Sequence, residues 1–347
     1  MKICHFLLAT FAATMMLAPA QAQEVVIAGS GGPVTQAHEE SGHKPFKELS
    51  GITVVNDDWD QQFGTLRAQV ESGSPKWDVV RLTQESLVAG CDEGLLEPID
   101  WDSIPEKADY LSAGVHECGV GAAFAAMILT YDGKKISDAP TSWADFWNTD
   151  KWPGKRGLRF TPVENLEIAL MADGVAGKDV YSVLATSEGQ DRAFAKLDEL
   201  KDDILWWKSG AESIQNIASS EVAMTTTWNG RPTLANRENK DFDLRIAWEA
   251  NPMLELESFA IVKGAKNMEE AKKWIAYSVN PERQAAFARI VPYGGPNTKL
   301  NDLLEPAVLR DLPTAPDNRK NAVDVDARFW LLNIDALTAR FANWAAQ

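Results

Sequence analysis

Short apolar runs alternate with amphipathic segments through the first part of the chain. EVVIAG, ITVVND and WDVVRL each hold a β-branched run typical of a buried strand, and apolar residues at helical spacing fill the segments between them. Strands that alternate with helices predict a parallel sheet with helices on both faces. Because ligands bind such sheets at the carboxyl ends of strands, we expect the functional residues there.

The second half of the chain continues the α/β pattern after a turn-rich, aromatic segment at 142–160. A helix, ENLEIALMADG, follows this segment, and two strands come later, EVAMTTTW and ESFAIVKG. The closing stretch DARFWLLNIDALTARFANW carries an apolar stripe at helical spacing, which predicts a long final helix.

The chain length indicates two lobes, since 347 residues exceed what one hydrophobic core usually serves. No flexible linker is present, so ordered strands are expected to cross between the lobes, and MILTYD and ESFAIVKG are the candidates. The predicted lobes comprise 23–129 with 258–300, and 130–257 with 301–347. Paired crossing strands form a hinge, and a hinge produces a cleft that closes on a ligand.

The first residues predict export. Residues 1–22 combine an early lysine, the apolar run FLLATFAATMMLA and an A-x-A cleavage site at Ala20–Ala22, as in a cleavable signal peptide for the periplasm. Cleavage leaves Cys91 and Cys118. Two thiols in an oxidising compartment most often pair, so a disulfide is expected, with two free buried thiols as the alternative.

Charge and motif content narrow the class of function. The net charge of −16 argues against nucleic acid and anionic membranes as partners and favours a cationic ligand. The turn GSGG lacks the complete phosphate-loop pattern, and His38 and His43 are five residues apart, which does not match the helical spacing of a zinc protease. The sequence therefore predicts neither an enzyme nor a cofactor or metal site.

An ordered set of motifs does indicate a family. The chain resembles the periplasmic solute-binding proteins of polyamine-type (spermidine/putrescine) ABC importers in the order of GCDEGLLEPIDW, TSWADFW, PGKRGLR, ALMADGV, TWNGR, ESFAIVKGA, NPERQAAFA and YGGPNT. The resemblance implies a type II, venus-flytrap fold whose two α/β lobes join at a strand hinge. It also implies a monomer that binds a small solute and delivers it to an inner-membrane permease.

The resemblance also places a ligand site. It assigns ligand contacts to Trp228, Glu257, Glu164 and Tyr293. It assigns a further contact to Trp330, near the head of the last helix. Carboxylates give an ammonium group charge-assisted hydrogen bonds, and an aromatic face adds a cation–π contact. The expected ligand is a small amine, putrescine or spermidine. Structural roles stay open as alternatives, namely core packing for Trp228, a solvated strand end for Glu257 and a helix cap for Glu164.

Three features depart from the polyamine pattern, and the first is the loop GSGGP, which has none of the aromatic residues that polyamine binders commonly carry there. Glu255 stands where an aromatic residue is expected, and Arg81 takes the place of a small hydroxyl residue, with Thr83 close by as a candidate ligand. Arg231 allows two interpretations. We expect it to pair with an acid such as Glu164 or Glu212 and fix lobe closure; alternatively it grips the carboxylate of a zwitterion such as γ-aminobutyrate.

Overall fold

A computed structural model describes residues 23–59 and 62–347; the predicted signal peptide, 1–22, lies outside the described residues. The strands are β1 Glu24–Gly29, β2 Thr53–Asp58, β3 Val79–Thr83, β4 Val115–His116, β5 Gly119–Asp132, β6 Arg156–Arg159, β7 Ile204–Trp207, β8 Met224–Trp228, β9 Leu244–Ile246, β10 Met253–Ile261 and β11 Val323–Asp324.

The helices alternate with these strands along most of the chain. They are α1 Gly32–His38, α2 Lys44–Ser50, α3 Phe63–Glu71, α4 Gln84–Asp92, α5 Trp143–Trp147, α6 Asn165–Ala172, α7 Val180–Leu184, α8 Ser187–Asp198, α9 Gly210–Ala218, α10 Gly230–Glu238, α11 Met268–Ser278, α12 Pro281–Ile290, α13 Pro306–Leu309, α14 Pro316–Arg319 and α15 Ala327–Ala345. Within the described residues, no helix is long and apolar enough to cross a membrane.

The strands form one continuous sheet in the order β2-β1-β3-β10-β5-β8-β6-β7. Each end of the sheet is a parallel group, β2-β1-β3 at one end and β8-β6-β7 at the other. The long strands β5 and β10 run between these groups and pair antiparallel with each other and with their neighbours. The predicted parallel sheet therefore exists as two halves, joined by an antiparallel pair.

Two hydrophobic cores flank this central pair. The first core collects β1, β3 and α11 around residues such as Val79 and Trp274, and the second collects α6 and α15 around residues such as Leu166 and Phe341. Strand β5 contributes to both, with Val120 in the first core and later residues in the second. This architecture confirms the predicted two-lobed α/β fold with crossing strands.

The segment after residue 300 packs partly with the first lobe. Leu300 and Leu312 lie against Ala285 and Ala288 of α12, whereas α15 belongs to the second core. The exact residues at which each lobe begins and ends stay a prediction.

Two local features of the first lobe follow from the sequence. Between α1 and α2 the backbone forms a π-helical turn, Glu39–His43, just before Pro45, whose ring nitrogen cannot donate a helical hydrogen bond. Cys91 at the end of α4 and Cys118 before β5 form a disulfide, as predicted.

Candidate functional site

A cleft of about 340 Å³ opens where the carboxyl ends of β3, β6 and β8 face the middle of β10. Its walls come from both lobes, because β3 belongs to the first core and β6 and β8 extend from the second. The polar, charged and aromatic residues of the lining are Ser30, Thr83, Gln84, Glu85, Arg159, Trp228, Arg231, Glu255, Glu257 and Tyr293. Five of the seven predicted ligand residues therefore lie together: Thr83, Trp228, Arg231, Glu257 and Tyr293.

Glu257 faces the cleft as half of an ion pair. Its Oε2 atom lies 2.8 Å from Nη1 of Arg81, whose side chain is almost fully buried. The Arg81 guanidinium also donates to the hydroxyls of Ser30 and Thr35, at 3.2 and 3.1 Å. The unexpected arginine at position 81 thus neutralises Glu257 and holds it in place.

Thr83 lies directly opposite Glu257 in the β3–β10 register. It is also the N-cap of α4, where its Oγ1 accepts a hydrogen bond from the backbone N–H of Ser86 at 3.5 Å. Thr83 therefore caps the N-terminus of α4, as hydroxyl side chains commonly do, and it also lines the cleft.

Trp228 is fixed on three sides. Its indole Nε1 donates to Oε2 of Glu255 at 2.9 Å, and Trp207 meets its ring edge-on at a centroid distance of 5.5 Å. The guanidinium of Arg159 lies 4.7 Å from the ring centroid, a cation–π contact. Glu255, the residue found in place of an expected aromatic, thus orients the indole. Such a fixed ring offers a flat wall to a ligand.

Arg231 lines the cleft from the first turn of α10. Among residues 23–59 and 62–347 it forms no ion pair, which corrects our expectation that Glu164 or Glu212 would neutralise it. The Glu212 carboxylate instead accepts the backbone N–H groups of Lys208 and Ser209, at 2.7 and 3.2 Å, in a capping box. The guanidinium packs against Gly210, where an added Cβ would lie 2.7 Å from Nε.

Arg159 is a cleft residue that sequence reasoning missed. The segment PGKRGLR reads as a basic turn, yet Arg156–Arg159 is strand β6, parallel to β7 and β8. Arg159 is the last residue of that strand, so the rule that ligands meet the carboxyl ends of parallel strands could have identified it. With Arg231 it forms a basic side of the cleft.

Glu164 lies behind the cleft wall rather than in it. It is 1% exposed, and its Oε2 atom is 3.7 Å from Nη1 of Arg159. It occupies the N-cap of α6 without a capping side-chain hydrogen bond, so the alternative of a helix cap is wrong. Burial, and next the charge of Glu255, raise the pKa of Glu164 well above its usual value.

Trp330 also lies outside the cleft. It is 1% exposed in the second core, and its Nε1 donates to Oε1 of Glu167 at 2.6 Å. The hydroxyl of Tyr181 donates to the same oxygen at 2.9 Å. Burial raises the pKa of Glu167 to about 7. Trp330 is therefore a core residue. The apolar stripe along α15 does not reveal whether an aromatic residue faces the core or the cleft.

Two further groups shape the electrostatics of the cleft. Burial raises the pKa of the Glu85 carboxyl, and the nearby charge of Glu255 acts in the same direction. Burial likewise raises the pKa of Tyr293, so this phenol keeps its proton and remains a hydrogen-bond donor. Tyr293 closes over Gly230, where an added Cβ would lie 2.9 Å from the ring.

Comparison with known proteins agrees with this architecture. A family model for bacterial extracellular solute-binding proteins matches residues 43–316. The gamma-aminobutyric acid-binding protein of Pseudomonas aeruginosa is 41% identical over 330 residues, which cover 95% of this chain and 93% of the relative. A solved GABA receptor has a TM-score of 0.83 at 31% identity, covering 94% of this chain and 98% of the other.

Polyamine-binding relatives match less well. Spermidine/putrescine-binding periplasmic protein 1 of Haemophilus influenzae is 23% identical over 77% of this chain and 74% of the relative. The motif resemblance thus identifies the right family, while the polyamine subtype receives weaker support than a GABA-type relationship. The chain belongs to the bacterial extracellular solute-binding proteins, the receptors that bind solutes for ABC transporters.

Proposed function

We propose that the protein is the receptor of an ABC importer for a small zwitterion of the γ-aminobutyrate type. The ligand carboxylate binds at the basic side of the cleft, formed by Arg231 and Arg159. The ligand ammonium binds at the acidic side, formed by Glu257, Glu255 and Glu85. The observation that carries the proposal is the guanidinium of Arg231, which lines the cleft and forms no ion pair among the described residues.

The charge balance of the cleft supports a ligand with two opposite ends. Glu257 is already paired with Arg81, and Glu255 already accepts a hydrogen bond from Trp228. Arg231 still lacks a carboxylate, and a guanidinium binds a carboxylate through two parallel hydrogen bonds. A zwitterion supplies that carboxylate together with an ammonium for the opposite side.

The size and the wall of the cleft suit a short ligand. A volume of about 340 Å³ is at the small end of ligand pockets, which span roughly 300–1,000 Å³. The methylene groups between the two charged ends would lie against Trp228, where burial contributes about 25 cal/mol per Å². The relatives named for GABA binding, at 41% and 31% identity, favour the same ligand class.

A polyamine is the second candidate. Three carboxylates in the lining favour it, those of Glu85, Glu255 and Glu257. A dication, however, places a positive charge near Arg231 and Arg159 and leaves Arg231 without a counter-ion. We therefore rank putrescine and spermidine, our main expectation from the sequence, below a zwitterion.

Ligand screening by thermal denaturation tests the proposal. γ-Aminobutyrate, putrescine, spermidine, butylamine and butyrate are compared, so that each end of the zwitterion is also tried alone. A ligand that binds only the folded protein stabilises it by about 2.7 kcal/mol at 100 times its Kd. We expect the largest rise in Tm with γ-aminobutyrate and smaller rises with the single-ended compounds. A larger rise with putrescine would replace the zwitterion by a polyamine.

A further inference from the structure

Glu164 combines deep burial with an unfavourable backbone conformation and a carboxyl group that lacks hydrogen-bond donors. It is 1% exposed, its backbone has φ of +69°, and neither carboxyl oxygen meets a hydrogen-bond donor within the described part of the chain. A residue other than glycine is unfavourable at positive φ, and a buried carboxylate without donors is unfavourable as well. Backbone strain of this kind is concentrated at functional sites.

The charged groups that face Glu164 come from three elements. Arg159 of β6 lies 3.7 Å away, the charge of Glu255 on β10 acts on Glu164, and Glu167 lies one turn further along α6. Burial opposes ionisation of Glu164, and the charge of Glu255 adds to this effect, so the pKa of Glu164 is raised.

Glu164 is connected to the ligand space through the cleft wall. Arg159 lies between the Glu164 carboxyl and the Trp228 ring, with distances of 3.7 and 4.7 Å. Glu255 accepts from the indole of the same tryptophan. The protonation state of Glu164 therefore determines whether Arg159 has a buried counter-ion or is left for a carboxylate in the cleft.

We propose that Glu164 is a specificity-determining residue whose protonation state sets the charge that the cleft presents to its ligand. This inference rests on the proposed function. With the proton bound, Arg159 lacks an ionised partner and attracts the carboxylate of a zwitterion. Without it, Glu164 neutralises Arg159 and the cleft gains a negative charge, which favours a dication.

One group then has opposite effects on two ligands. As the pH rises through the titration of Glu164, the affinity for γ-aminobutyrate falls, because Glu164 competes for Arg159. The affinity for putrescine rises, because a negative charge appears beside the cleft. Each unit of pKa shift on binding changes the affinity about tenfold. The amine and carboxyl groups of both ligands titrate outside the range from about pH 5 to pH 9, so the protein causes the change.

Calorimetric titration with both ligands across this pH range is the test. The wild type is compared with Glu164→Gln, which fixes a neutral side chain, and with Glu167→Gln as a control on the same helix and outside the cleft. We expect the Kd ratio of putrescine to γ-aminobutyrate to fall about tenfold with rising pH in the wild type and the control. In Glu164→Gln we expect that change to be largely lost. A Glu164→Gln variant with the wild-type pH dependence would overturn the inference.

A second measurement needs no variant and no ligand. The carboxyl carbon of Glu164 can be titrated in the wild-type protein by ¹³C NMR. We expect it to remain protonated well above the range in which an ordinary glutamate ionises; titration in the ordinary range would refute this role of Glu164. Failure of every amine and amino acid to bind would instead refute the proposed function, and the NMR titration would still decide the state of Glu164.

Discussion

The two sides of the cleft are built differently. On the acidic side each β10 carboxylate already has a partner in the protein, Arg81 for Glu257 and the Trp228 indole for Glu255. On the basic side, Arg231 lines the same cleft and forms no ion pair within 23–59 and 62–347. The basic side therefore holds a cation without an ionic partner, although the whole chain carries −16. The net charge of the chain favours a cationic ligand, whereas the unpaired Arg231 guanidinium favours a ligand that carries a carboxylate.

Removal of the unpaired guanidinium gives the largest expected effect. Arg231→Ala deletes both hydrogen bonds to the ligand carboxylate, and bonds to charged groups contribute about 1.5–3 kcal/mol each. We expect calorimetry to find an affinity for γ-aminobutyrate at least about 100-fold lower. Putrescine binding should stay the same or improve, because a repulsive charge is gone.

A matched control is available on the same helix. Arg237 also lies on α10, is exposed and donates to the backbone carbonyl of Arg289 at 3.2 Å. Arg237→Ala should leave both affinities unchanged. If Arg231→Ala weakens the binding of putrescine as much as that of γ-aminobutyrate, Arg231 does not act as the carboxylate site, and the proposed difference between the two sides of the cleft is wrong.

Glu257→Gln tests the ion pair with Arg81 on the acidic side of the cleft. The substitution leaves the buried Arg81 guanidinium without a carboxylate, although Glu257 is 30% exposed and water compensates in part. We expect a loss of about 1–3 kcal/mol in the free energy of unfolding, measured by urea denaturation, in addition to weaker ligand binding. A variant as stable as the wild type would indicate that Arg81 does not depend on this carboxylate.

Trp228→Phe separates two contributions of this residue to the cleft, the aromatic face and the hydrogen bond that orients it. The ring face is retained, while the hydrogen bond from Nε1 to Glu255 is lost. We expect about a tenfold weaker affinity for γ-aminobutyrate, from the loss of roughly 1–1.5 kcal/mol of orientation and ring contact. Fluorescence titration measures the affinity of this variant and of Trp228→Leu, which also removes the aromatic face. The comparison shows whether the hydrogen bond or the aromatic face contributes more to ligand affinity.

The smallest effect concerns the acid buried behind the basic side. The pKa of Glu167 is raised to about 7 in the folded protein, so the folded state binds a proton more tightly than the unfolded chain does. Its contribution to stability is complete below the ordinary glutamate pKa and is lost as the pH rises through about 7. We expect Glu167→Gln to remove about 1 kcal/mol of the fall in unfolding free energy between about pH 6 and pH 8. An unaltered pH profile would show that Glu167 ionises normally.

The sequence predicts the fold and the acidic side of the cleft with some success. Alternating strands and helices correctly indicate two α/β halves, and Trp228 and Glu257 lie on strands that reach the cleft. The central antiparallel pair β5 and β10 is not visible in that alternation, because strand direction depends on which strands become neighbours. Pairing of Cys91 with Cys118 follows from the predicted compartment, and the structure confirms it.

The basic side depends on tertiary relations that a single sequence does not encode locally. Arg159 reaches Trp228 only because β6 and β8 are adjacent, and a segment with Pro153 and Gly154 resembles a turn. Trp330 lies on an amphipathic helix whose stripe does not tell which aromatic residues face the core. The positive φ of Glu164 is likewise a property of the folded loop.

The most direct test is a crystal structure of the protein with γ-aminobutyrate bound. The account predicts the ligand carboxylate within hydrogen-bonding distance of the Arg231 guanidinium, its methylenes against Trp228 and its ammonium directed toward Glu257. A ligand bound in the reverse orientation, or a carboxylate that does not contact Arg231, would contradict it.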